Sequence, residues 1–159
     1  GVPVHLAGLS MLERHHTSSR LQLRVNNMNI SLDRLDEAHE ALLTETKLLI
    51  DLITQTLTQH LQTQSVADLE HTSAQIREVA GAMLFLNAES GQKALKVSAD
   101  FVHAQVEAGQ NLTAEQVNNI LDTLASADML IDNLKNKQPV LQSMFKVALD
   151  SSEKLITVA

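Results

Sequence analysis

Apolar residues recur along most of the chain at spacings of three and four, the period of a helix with one buried face. From Ser31 to Gln64 they fall at Leu32, Leu35, Leu42, Leu49, Ile53, Leu57 and Leu61, which predicts one long helix. Ser31 suits its N-cap, with Asp33 and Asp36 at the positive end of the dipole. "SVAD", from Ser65 to Asp68, reads as the capping signal of a second helix. The inward face of that helix would be Val66, Leu69, Ile76, Val79, Ala80, Met83 and Leu84, and its end falls near "NAESG". A third helix carries Ala94, Val97, Phe101 and Ala104 inward and stops at Gly109. "TAEQ", from Thr113 to Gln116, is a capping box for a fourth, with Val117, Ile120, Leu121, Leu124, Ile131 and Leu134 inward. "NKQP" closes it, and Pro139 fits the first turn of a fifth helix striped by Leu141, Met144, Phe145, Ala148 and Leu155. The stretch from Leu6 to Val25 is more weakly patterned, an arm or a sixth helix.

No strand-like alternation persists, and the connections are short. Helices joined that way pack antiparallel, so the expected fold is all-α: an up-down, four-helix-type bundle with one or more additional N-terminal helices. Residues 1–30 are expected to form the arm or short helix and residues 31–159 a single bundle domain.

Composition narrows the function classes. The 159 residues are 44% apolar, enough for one domain with a full core, and no segment approaches the roughly 20 apolar residues of a membrane span. A net charge of -7 argues against nucleic acid, whose phosphates require clustered cations. Arg14, Arg20, Arg24 and Arg34 read as solvated helix charges. The absence of cysteine excludes disulfides and thiol chemistry and fits the cytoplasm, and the start carries no secretory pattern. An N-terminal glycine in place of methionine suggests a piece of a longer protein.

Candidate chemistry is sparse. The seven histidines, His5, His15, His16, His39, His60, His71 and His103, include no pair spaced i,i+4 for a helical metal site, and "EAHE" is not a Glu-x-x-His motif. Solvated or interfacial histidines are the expectation, with no metal and no cofactor. No Gly-x-Ser-x-Gly elbow, cysteine nucleophile or phosphate-cradling glycine loop occurs, so an enzyme is not expected. Gly81 is the informative residue, because a glycine inside a helix costs about 1 kcal/mol relative to alanine. It marks either tight helix–helix packing, the reading favoured by spacing alone, or a helix surface kept bare for a partner.

"QIREVAGAMLFLNAESGQKAL", residues 75 to 95, resembles the central helix pair of histidine-containing phosphotransfer (Hpt) domains. Within that group it more nearly resembles the N-terminal modules of chemosensory proteins controlling type IV pili, the FimL-like and ChpA-like proteins among them. Residues 120 to 155 are similar to their downstream segment, so the likeness runs from about 66 to 155. In a working phosphotransfer domain the reactive histidine precedes the helix glycine by four residues, as His-x-x-Lys-Gly. Here those positions hold Arg77 and Ala80, and the downstream Tyr-Leu pair is replaced around Met129, Leu130 and Ile131. A guanidinium stays protonated and is no phosphoryl acceptor.

The resemblance thus implies a degenerate Hpt-like module: no catalysis, no cofactor, and a contact face around Arg77, Glu78 and Gly81. Expected partners are response regulators or pilus-associated polar proteins in a twitching-motility pathway in the cytoplasm. Neither nucleic acid nor a membrane span is expected, and self-association is left open. Two other readings stand beside it: a helical sensory or structural bundle of a larger receptor, and an active phosphotransfer protein using His71 or His103.

Overall fold

The computed structural model describes residues 18–139 and 142–158, with side chains over 36–139 and 143–156. Among the described residues there are five α-helices and no strand: α1 Ser18–Thr63, α2 Thr72–Phe85, α3 Glu89–Glu107, α4 Ala114–Lys135 and α5 Lys146–Val158. Two 3-10 turns, Val66–Leu69 and Gln142–Phe145, lead into α2 and α5. The all-α fold expected from periodicity is therefore observed. The chain divides into two compact units, Gly1–Ala41 and Leu42–Ala159. The described part of the first is helical throughout.

Several expected boundaries move. Ser31 lies inside α1 and caps nothing, because no glycine or proline interrupts the sequence after Ser18 and a helical serine costs only a fraction of a kcal/mol. Residues 1–17 of the expected arm lie outside the described residues, as do the side chains of Leu32, Leu35 and Leu141. Ser65 flanks a 3-10 turn and makes no side-chain cap, so α2 opens only at Thr72. Pro139 precedes α5 instead of starting it, and its carbonyl accepts a 3.2 Å hydrogen bond from Asn133 Nδ2. Thr113 and Gln116 do form the reciprocal capping box, with bonds of 3.1 and 2.9 Å.

In the second unit the helices pack antiparallel along the chain. Residues from Leu42 onward in α1 face α4 head to tail: Lys47 Nζ pairs with Asp128 at 3.0 Å and Asp132 at 2.8 Å, while His60 near the other end meets Leu112. Ser73 Oγ donates to the Ala99 carbonyl across the α2–α3 pair, and Ser151 Oγ to Asp122 across α4–α5. Leu43, Ile50, Ile53 and Leu57 are buried along α1, and Ile76, Val79 and Met83 along α2. They join Leu95, Val102, Ile120, Leu124, Ile131, Phe145 and Leu155 in one core. Leu84, expected inward, is 53% exposed, because it sits about 100° round the helix from Met83.

The helices α2, α3 and α4 end alike. Asn87 (φ 61°), Gly109 (φ 66°) and Lys137 (φ 55°) take the left-handed conformation just past the last turn. In each case the next amide donates back five residues: Ala88 to the Met83 carbonyl, Gln110 to Gln105 and Gln138 to Asn133. That pattern satisfies carbonyls a helix end otherwise leaves bare.

Two positions lock the packing. His60 is fully buried. Its Nε2 accepts from the Leu112 amide at 3.0 Å, which makes the ring the Nδ1–H tautomer, and Nδ1 lies 3.0 Å from the Ser65 carbonyl, to which it donates. One imidazole thus joins the end of α1 to the connection that follows it and to the connection between α3 and α4. It is neither solvated nor interfacial, contrary to the expectation for the histidines. At the opposite end the Phe145 ring packs against Gly91, where an added Cβ would meet ring carbons at 2.5 and 2.8 Å.

Candidate protein-contact face

The buried residues of α2 occupy a single side, so the other side faces outward by helix geometry. Arg77, Glu78 and Gly81 all lie on this outer side and are exposed. Gly81 is nearly opposite the core. An added Cβ there would meet nothing within 4 Å, so tight helix packing, the reading favoured from spacing, is not why this residue is glycine. Arg77 and Glu78 diverge to the two flanks. Arg77 leans to α3, where its guanidinium donates to Asp100 at 2.8 Å with both side chains well exposed. Glu78 leans to α1.

Between Glu78 and α1 runs an open groove of about 400 Å³, lined by Leu42, Glu45, Thr46, Leu48, Leu49 and Leu52. Leu48 and Leu52 are 64% and 48% exposed, four residues apart and therefore on one face. Leu84 and Phe85 add exposed apolar surface at the end of α2. The sequence reading missed the groove, although a signal was present. "KLLIDLI" packs five apolar residues into seven, more than one buried stripe can absorb.

Electrostatics separate the two flanks. The hydrogen bonds that Lys47 Nζ donates to Asp132 and Asp128 raise the Lys47 pKa, so this ammonium is committed to α4 and turned from the groove. Arg77 is committed to Asp100. Neither Glu45 nor Glu78 has an ion-pair partner among the described residues. The groove therefore presents uncompensated negative charge beside apolar surface.

The remaining candidates do not converge on chemistry. His71 and His103 are exposed, each 3.8 Å from an adjacent carboxylate, Glu70 and Glu107. Among the described residues no three His, Asp or Glu side chains gather to hold a metal. Nor is any described helix long and apolar enough to cross a membrane.

Comparison with known proteins adds one finding. Residues 33–152 match the family model of the FimL C-terminal domain, and the chain belongs to that family. The likeness to FimL-like proteins thus lies with a C-terminal domain, where sequence alone pointed to N-terminal modules. No curated protein and no solved structure matches the chain.

Proposed function

We propose that this FimL C-terminal domain is a non-catalytic, Hpt-like protein-interaction module of a pilus-related chemosensory pathway, working in the cytoplasm through the outer face of α2. Family membership supports the pilus-related role. The observation that carries the interaction reading is Gly81, bare and unobstructed between two diverging charged side chains. A glycine with no packing duty fits a surface that another protein approaches closely.

Arg77 supports the reading that this face carries no phosphoryl chemistry. A phosphotransfer site needs an imidazole nitrogen with a free lone pair, and a guanidinium has none to offer. Arg77 also donates to Asp100, which holds a carboxylate where an incoming phosphoryl group would be repelled. Partners of such a module are signalling proteins, response regulators or polar pilus-associated proteins, recognised by shape and charge.

Incubation with a kinase and its phosphorylated regulator tests this reading. The chain is expected to remain unlabelled, and His71→Gln and His103→Gln variants to behave identically. Phosphohistidine on the wild-type chain would overturn it.

A further inference from the structure

We propose that the groove between α1 and α2 receives an amphipathic helix of a partner protein, with leucine-type side chains on one face and lysine or arginine flanking them. This rests on the reading of the chain as an interaction module and names the kind of partner.

The apolar part of the argument is geometric. Leu42, Leu49 and the exposed Leu48 and Leu52 line one side of the groove from Leu42 to Leu52 of α1, a run of roughly 15 Å at helical rise. Anchors at i, i+4 and i+7 on a docked helix span roughly 10 Å, so two turns of such a helix fit that length. A groove beside two helices offers a third helix the ridge-and-groove contact that packs bundles.

Charge selects the occupant. Glu45 and Glu78 face the groove without an ion-pair partner, while the cations nearest them in sequence, Lys47 and Arg77, are held by Asp128, Asp132 and Asp100. An apolar furrow rimmed by free carboxylates is complementary to a basic amphipathic helix. A second copy of the chain is disfavoured, because a two-fold contact through this face would bring the same carboxylates together. An anionic membrane surface is repelled for the same reason.

The test uses the full chain and three synthetic probes of equal length. One is a helical peptide with a leucine ridge flanked by lysines, one has glutamates in place of the lysines, and one scrambles the leucine/lysine sequence so that no ridge forms. Affinity is read by fluorescence anisotropy at two salt concentrations, and the contact by amide chemical-shift changes. The first peptide is expected to bind and to shift residues around Leu48, Leu52, Glu78 and Gly81, with the other two at least tenfold weaker. Leu48→Ala with Leu52→Ala should weaken binding about tenfold. Glu45→Gln with Glu78→Gln should weaken it several-fold and flatten its salt dependence. All four side chains avoid the deep core, so the variants should keep the wild-type melting curve. Equal affinity for the scrambled peptide, binding unaffected by the leucine pair, or shifts elsewhere would overturn the proposal. So would concentration-dependent dimerisation abolished by the same leucine pair, which would assign the groove to a second copy. Failure here with the chain still unlabelled by phosphotransfer removes the groove assignment alone. Labelling overturns the parent reading whatever the peptides do.

Discussion

Gly81 and Gly91 stand on successive helices, and their surroundings are opposite. Gly91 is buried beneath the Phe145 ring, where the seam between α3 and α5 closes so tightly that no Cβ fits. Gly81 faces open space on the outer side of α2, beside a groove with exposed Leu48 and Leu52 and with carboxylates that have no ion-pair partner among the described residues. One glycine is demanded by the fold and the other is not. A helix pays conformational entropy for either, so only the second calls for an explanation outside the fold. The same division holds for charge. Lys47 fastens α1 to α4, whereas Glu45 and Glu78 on the groove side have no ion-pair partner among the described residues.

The comparison breaks most severely at His60. Replacing it with alanine leaves the buried Leu112 amide and the Ser65 carbonyl without the ring and opens a cavity, so unfolding stability should fall by about 3 kcal/mol in a denaturant titration. Binding to the groove of the folded fraction should be unchanged. Gly91→Ala comes next. The Phe145 ring must move within a filled seam, at a cost of about 2 kcal/mol read the same way. Lys47→Met should lower stability by about 0.5–1 kcal/mol, the range of a partly exposed pair.

That last variant also sharpens the comparison by pH. The folded-state pKa of Lys47 is raised above 10.5 by Asp132 and Asp128. Its contribution is therefore complete below 10.5 and is lost as pH rises through the higher folded value. Alkaline unfolding profiles of wild type and Lys47→Met should converge above that point.

Much of the fold was legible because helices announce themselves locally. The Thr113–Gln116 box is read directly from four residues, and Gly109 marks the end of α3 by its residue type. The equivalent end of α4 was less visible, since Lys137 takes the left-handed conformation without a glycine to signal it. The long helix was seen, but its start was misplaced because Ser31 looks like a cap wherever it stands. Tertiary facts stayed hidden. Nothing local distinguishes buried His60 from exposed His71 or His103, and nothing local separates Gly81 from Gly91. Arg77, Glu78 and Gly81 were singled out from a family pattern, and the groove beside them was not, because it depends on which leucines of α1 the core leaves outside.

Gly81→Ala is expected to be as small an effect as Lys47→Met but of opposite sign, and it is the most direct test. If the outer face of α2 is free of packing, the substitution adds helix propensity without strain, and unfolding stability should rise by about 0.5–1 kcal/mol. A loss of 1 kcal/mol or more would show that the fold itself requires a bare surface at residue 81, and would contradict the account.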